Sequence, residues 1–357
     1  ASCAGTQKGR IWRSMHNVSK ASWRNRSEEE LAKLQEKSKL YRRLESTIFD
    51  LRDKGTFTSA AKDLTAQLLR VNPDNYSVWN YRRQILFASG ETAPESWKAP
   101  PDVAQEELVM SAEALKRQPK SYPAWYHRKW ILDRLESGRE RTLQSELQLC
   151  ARFLDRDERN FHCWKYRRYV AHLAGVTPEE NYEYTEDRLN ANFSNYSAFH
   201  ERSRILASLA EYGEDKISTL QQELDFVQQI TVTAPDDQSA WWYYRFLLAA
   251  VTDDADIPIE EKLRLLRQEV GRLNELVEVE LECNEDDPSN VAAAGNGENV
   301  KWALVMLAHV LTLRIELGES EAASSSQRVK EVYHSLIEID ADHQRYYQSR
   351  LRSLGME

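Results

Sequence analysis

A twelve-residue pattern recurs five times along this chain and leaves few folds open to it. It reads NYSVWNYRRQIL at 75–86, SYPAWYHRKWIL at 121–132, NFHCWKYRRYVA at 160–171, NYSAFHERSRIL at 195–206 and DQSAWWYYRFLL at 237–248. Its central aromatics, Trp79, Trp125, Trp164, Phe199 and Trp241, lie about 46, 39, 35 and 42 residues apart. Helical hairpins stack into solenoids at such intervals, each unit burying its apolar face against its neighbours. One W-x-x-R would mean little; five copies at quasi-regular spacing specify a repeat architecture.

Each repeat divides into two predicted helices. The first helix of repeat one carries Phe57, Ala60, Ala61, Leu64 and Leu68 in an i, i+3, i+4, i+7 stripe. Comparable stripes run over 108–115, 143–154 and 217–230, and Thr177-Pro178-Glu179-Glu180 supplies a cap, a first-turn proline and a capping-box glutamate for another. The turns Asn72-Pro73-Asp74, Gln118-Pro119-Lys120 and Ala234-Pro235-Asp236 stop the first helix, and the motif forms the second. Residues 90–102, with Gly90, Pro94, Pro100 and Pro101, read as an inserted loop. The expected fold is all-α, an α-α superhelix of about fourteen helices curved into a crescent. A polar basic tail over 1–27, partly mobile, precedes a solenoid over 28–357. The repeats occupy about 56–250, and a helical cap follows with helices near 259–282, 300–317 and 324–339 and a mobile loop at 284–299. Met15 is a candidate natural start.

Charge and cysteine content narrow the function. Lys and Arg number 48 against 57 Asp and Glu, a net −9, which disfavours a partner gripped through nucleic-acid phosphates. No run approaches the apolar length of a membrane span, and the first ten residues lack a secretory apolar core. Cys3, Cys150, Cys163 and Cys283 form no CxxC pair and read as free thiols in a reducing, cytoplasmic setting.

On a helix the motif aromatic shares a face with positions +3, +4 and +7, as in Trp79, Arg82, Arg83 and Leu86. Trp125 with Arg128, Trp164 with Arg167 and Phe199 with Arg202 repeat the aromatic–arginine pair; the fifth copy shifts it, with Tyr244 at +3 and Arg245 at +4. The indole is expected between hairpins, with the guanidinium on aromatic surface or on the carbonyls ending an adjacent helix. Alternatively, some of these side chains reach the concave face and touch a partner. Lys120 sits just ahead of a motif helix, where a cation opposes the helix dipole. It is either a solvated turn lysine or a phosphate ligand acting with the helix end. His162, at the matching end of the third repeat, is either satisfied within its turn or a further donor. The sequence holds no HExxH, GxGxxG, P-loop or GxSxG, so no self-sufficient active site and no metal ligand set is visible.

These motifs resemble the repeats of the protein prenyltransferase α subunits, whose hallmark is Asn-Tyr-x-x-Trp-x-x-Arg followed by two apolar residues. The match runs from about 56 to 250 and includes the turns as well as the aromatics. Within the family the phrases NPDNYSVWNYRR, QPKSYPAWYHRKWIL, RNFHCWKYRRYV, NFSNYSAFHERS and DDQSAWWYYRFLL are most similar to the type II branch, which acts on Rab GTPases. The resemblance implies a helical crescent wrapped around a β subunit that carries the catalytic zinc and the isoprenoid pocket, with no cofactor in this chain. It implies that Lys120, in Pro119-Lys120-Ser121-Tyr122, reaches toward the isoprenoid diphosphate with Tyr122 beside it. It places Asn160 and His162 near the diphosphate too, with Phe161 where the family has tyrosine. Pro123 stands where relatives that read a CaaX box carry a polar side chain. No strands or leucine period follow Leu248, so the chain resembles the compact, helix-only form rather than the mammalian one with immunoglobulin-like and leucine-rich regions.

The implied activity is transfer of geranylgeranyl from its diphosphate, bound at the subunit interface, to C-terminal cysteines of Rab GTPases presented by an escort protein. A CaaX-directed prenyltransferase α subunit and a non-catalytic tetratricopeptide-like scaffold are the rival readings.

Overall fold

Capping residues and prolines set the helix boundaries. The computed structural model describes residues 27–88, 96–135, 137–211, 216–286, 298–319 and 322–356. Among these residues there are fifteen α-helices, one 3-10 turn (Ala341–His343) and a single β-bridge, between Ala99 and Leu135. Helix α1 (Glu28–Asp53) opens on a reciprocal capping box between Ser27 and Glu30. Five hairpins follow: α2 (Ser59–Val71) with α3 (Tyr76–Ala88), α4 (Pro101–Arg117) with α5 (Tyr122–Leu132), and α6 (Arg139–Leu154) with α7 (Phe161–Ala174). Then come α8 (Pro178–Ala191) with α9 (Tyr196–Glu211), and α10 (Lys216–Thr233) with α11 (Gln238–Thr252). The chain continues as α12 (Ile259–Asp286), α13 (Glu298–Glu316), α14 (Ala322–Ile339) and α15 (Gln344–Ser353). Helix α8 starts on the capping box of Thr177 and Glu180 that the sequence announces.

One helix exceeds the expected fourteen. Helix α15 buries only Tyr347 and Leu351, a single i, i+4 pair inside a charged segment, which is too short a stripe to read as periodicity. The expected loop at 284–299 narrows from both ends, because α12 runs through Asp286 and α13 begins at Glu298; 287–297 lie outside the described residues. Of the tail over 1–27 only Ser27 is described, and of the loop over 90–102 only the part from Ser96. The boundary between two compact units falls between Leu149 and Cys150, within α6.

The motif aromatics are core, and their indoles do one specific thing. In the first unit Trp79 Nε1 donates to the Pro73 carbonyl and Trp125 Nε1 to the Pro119 carbonyl, each at 2.8 Å. In the second, Trp164 donates to Glu158 and Trp241 to Pro235, again at 2.8 Å. The acceptor is six residues upstream every time. Each tryptophan therefore closes the turn that introduces its own helix, satisfying a carbonyl there: that of a proline in three repeats and that of Glu158 in the third. Phe199 fills the same buried position without the N–H.

The guanidiniums do not rest chiefly on helix-end carbonyls. Three of them, Arg82, Arg128 and Arg202, are clasped by a glutamate from the following hairpin. Arg82 donates through Nε and Nη2 to Glu107 at 2.7 Å, and through Nη1 to the Lys62 carbonyl (2.7 Å) and Thr65 Oγ1 (2.8 Å). Arg128 does the same to Glu146 (3.0 and 2.5 Å), Leu108 O (2.5 Å) and Ser111 Oγ (3.0 Å). In the second unit Arg202 clasps Glu223 (2.8 Å twice), Tyr182 O and Thr185 Oγ1 (3.2 Å each). One side chain thus joins three helices: its own, the first helix of its hairpin and the first helix of the next. All three arginines and their glutamates are buried, and the bidentate fork supplies the hydrogen bonds that such charges need.

The third repeat is built differently. Arg167 bonds Asn181 Oδ1 at 2.8 Å and lies 3.5 Å from the centre of the Tyr184 ring, the aromatic contact that Arg202 also makes with Tyr182 at 3.5 Å. The hydroxyl position, seventeen residues before the arginine, is Cys150. Cys163 Sγ lies 3.5 Å from the Cys150 carbonyl; the neighbouring Cys150 and burial together push the Cys163 thiol up, leaving it a poor nucleophile.

At Glu107 the clasp gains a member. His127 Nε2 lies 2.9 Å from Glu107 Oε2, with its ring between Trp79 and Trp130. Burial pushes the His127 imidazole down to about 4, against the pull of Glu107. Its Nδ1 is buried without a hydrogen-bond partner, so a second proton there would find no acceptor. Burial raises Glu107, but hydrogen bonds and charge from His127 and Arg82 outweigh it and hold the carboxyl at about 2.

Two outcomes are expected. Arg128→Leu strands the Glu146 carboxylate and lowers unfolding free energy by about 3–5 kcal/mol in urea melts, whereas Arg128→Leu with Glu146→Leu recovers most of the loss. Acid destabilises in two windows, because both folded-state pKa values lie below the unfolded ones and the unfolded chain takes up protons first. Stability contributed by neutral His127 disappears as pH falls from about 6.5 through about 4, and that from Glu107 as pH falls from about 4.5 through about 2. His127→Gln, which still donates to Glu107, flattens the upper window alone in thermal melts recorded against pH.

Candidate functional site

The repeat leaves one aromatic outside at the start of each of the first four motif helices. Tyr76, Tyr122, Phe161 and Tyr196 stand three residues before the buried aromatic and are 54% to 59% exposed. They lie in the first turn of their helices, one turn ahead of the buried anchor.

In the first unit this geometry presents Lys120 and Tyr122. Helix α5 has Ser121 at its N-cap, but the hydroxyl makes no cap bond. It donates instead to the Pro73 carbonyl at 2.9 Å, the same oxygen that accepts the Trp79 indole. No acidic residue occupies the first turn, and Pro123 contributes no N–H. The positive end of the α5 dipole therefore has no side-chain cap bond and no acid in its own first turn, with exposed Lys120 immediately before it. The Arg82–Glu107–His127 cluster and the Trp125 turn bond fix α5 in place behind them.

In the second unit α7 begins differently. Asn160 is buried, and its Oδ1 accepts from the backbone N–H of His162 (3.1 Å) and Cys163 (3.2 Å). His162 is buried as well, its ring centre 3.8 Å from that of exposed Phe161. The four residues singled out in the sequence thus fall two in each unit: Lys120 and Tyr122 at an uncapped helix start, Asn160 and His162 at a capped one. Further along the second unit, Tyr196 and Trp242 border an open hollow of about 430 Å³ with Gln238 and Ser239.

Among the described residues no group of three or more His, Cys, Asp or Glu side chains could hold a metal ion. No helix among them is long and apolar enough to cross a membrane. The glutamates that clasp the arginines were not picked out from sequence, although a signal existed. A Ser or Thr precedes Arg82, Arg128 and Arg202 by seventeen residues, and a Glu interrupts the apolar stripe of each following first helix.

Comparisons with known proteins match the repeats and the fold. The model of the protein prenyltransferase alpha subunit repeat matches residues 59–89, 104–135, 143–173 and 220–251. The copy it passes over is the one centred on Phe199. The geranylgeranyl transferase type-2 subunit alpha of Rattus norvegicus is 40% identical over 221 residues, 60% of this chain and 38% of that protein. The chain therefore spans well under half the length of the mammalian relatives it matches. The subunit of the same name from Dictyostelium discoideum is 31% identical over 342 residues, 94% of this chain and 98% of that protein. Its Saccharomyces cerevisiae counterpart is 30% identical over 338 residues, 92% and 95% respectively. A chain from the solved structure "Candida albicans protein geranylgeranyltransferase-I complexed with GGPP" superposes with a TM-score of 0.64 at 17% identity, covering 88% of this chain and 91% of that one, which shows a shared fold. The chain belongs to the protein prenyltransferase α-subunit family, in the branch of the type-2 geranylgeranyl transferase α subunits.

Proposed function

We propose that this chain is the α subunit of a heterodimeric protein geranylgeranyl transferase that moves geranylgeranyl from its diphosphate to C-terminal cysteines of Rab GTPases held by an escort protein. The observation that carries the reading is the near full-length alignment to the Dictyostelium type-2 subunit. The β subunit supplies the zinc that holds the thiolate and the pocket for the isoprenoid, and the reaction takes place in the cytoplasm. This chain contributes shape and charge. Exposed Tyr76, Tyr122, Phe161 and Tyr196 suit contact with a partner, since aromatic side chains give large contact area at low entropic cost.

Lys120 acts on the departing diphosphate. Negative charge grows there as the C–O bond breaks, and an ammonium beside an uncapped helix start strengthens its hold in the transition state. Tyr122 follows it in the first turn of α5, and Asn160 and His162, at the start of α7, are assigned to substrate binding as well. Because Asn160 is engaged in capping α7, its part is to fix the position of His162.

Co-expression with a prenyltransferase β subunit and labelled geranylgeranyl diphosphate tests this reading. Transfer to a Rab–escort complex, and none to a CaaX peptide, is the expected result. Transfer to the CaaX peptide without escort, or no association with any β subunit, contradicts it. In single-turnover experiments on the heterodimer, Lys120→Ala lowers the rate roughly ten- to a hundredfold; an unchanged rate removes Lys120 from the chemistry.

A further inference from the structure

The fifth repeat departs from the others in a way the transferase reading leaves unused. Tyr244 occupies the arginine position, and the guanidinium moves one residue on, to Arg245. The Tyr244 hydroxyl donates to Glu269, twenty-five residues downstream, the same interval as Arg82 to Glu107. The motif position thus makes its contact without a guanidinium; Arg272 of α12 supplies one instead, bonding Glu269 and Asp225 of α10, and Arg245 takes no part in it.

It lines a small, half-enclosed pocket of about 40 Å³ in the second unit, together with His309 of α13, Tyr333 of α14, and Tyr346, Tyr347 and Arg350 of α15. That volume has room for about three waters, or one tetrahedral oxyanion. Two guanidiniums, an imidazole and three phenols line it, and no described carboxylate does. The acids nearby are engaged or set back. Asp340 accepts from Tyr347 (2.7 Å) and is paired with Lys301 and His343 (3.0 Å each), while Glu316 favours the charge on Arg350 from α13 without lining the pocket. The Tyr333 hydroxyl is hydrogen-bonded to Arg350 and favours its charge. Like charges brought to one hollow repel unless an anion sits between them, and arginine forks match tetrahedral oxyanions in geometry.

We propose that this pocket binds a phosphate-sized tetrahedral oxyanion between Arg245 and Arg350. The ligand is a phosphate group, either free or as a monoester. His309 is linked to it. Burial, reinforced by Arg245 and Arg350, holds the imidazole down at about 4. The groups facing it are Arg245 from α11, Tyr333 from α14, and Tyr346, Tyr347 and Arg350 from α15. An anion among them favours the imidazolium, so binding takes up a proton and tightens as pH falls.

The test is calorimetric titration of the full chain, alone or as the purified heterodimer, at constant ionic strength. Inorganic phosphate and phenyl phosphate are the probes, with sodium chloride as control. Saturable binding that weakens about tenfold or more in Arg350→Gln and in Arg245→Gln, with melting temperatures unchanged, is expected. Binding of both probes assigns a monoester ligand, and binding of phosphate alone a free anion. Sulfate, whose charge is constant over this range, should bind more tightly at pH 6 than at pH 8 and shift the His309 ring resonances. No saturable heat from either phosphate probe, or equal binding by wild type and both variants, overturns the proposal.

Discussion

A buried guanidinium clasped by a glutamate from the next hairpin is the contact on which this architecture turns. Apolar stripes hold helices together but tolerate sliding, because one leucine packs against another at several registers. A bidentate arginine–carboxylate pair does not. Arg82, Arg128 and Arg202 each have Nε and Nη2 on one carboxylate and Nη1 on a carbonyl and a hydroxyl of a second helix. A displacement of one residue breaks several of these bonds at once and leaves charge unpaired in the core. The contact therefore selects the register between hairpins more than it adds stability, as polar groups in other helical assemblies do.

From that register follows the surface that matters. With the aromatic at position 0 buried and its indole spent on the preceding turn, the ring three residues earlier is held outward in four repeats. The turn carbonyl of one repeat also engages the next: Pro73 O accepts from both Trp79 and Ser121. That second bond takes the Ser121 hydroxyl away from its helix, so α5 starts uncapped beside Lys120, whereas α7 starts under Asn160. A small difference in turn chemistry thus separates an uncapped helix end from a capped one. The clasp is modified in two repeats, where Asn181 and Tyr184 surround Arg167 and Tyr244 bonds Glu269.

Much of this was readable from the chain. The five aromatics, the proline turns and the Thr177 capping box give the hairpins and their order, because each rests on local geometry. The carboxylate partners were not readable in the same way. Glu107, Glu146 and Glu223 pair across 18 to 25 residues, an interval that varies with turn length, so no fixed spacing announces them. Helix α15 escaped for lack of apolar positions. At the candidate site, Lys120 is conspicuous in sequence because a cation there opposes the helix dipole, whereas Tyr122 stands out only through the family resemblance. The capping role of Asn160 is equally local, whereas the burial of His162 depends on tertiary packing that no motif spells out.

Hydrogen exchange on Arg202→Leu tests the central claim most directly. If one guanidinium holds three helices in register, amide protection in α8, α9 and α10 falls together, while α14 and α15 keep theirs. Loss confined to α9, with α8 and α10 exchanging as in the wild type, would mean that apolar packing alone sets the register and that the clasp is incidental.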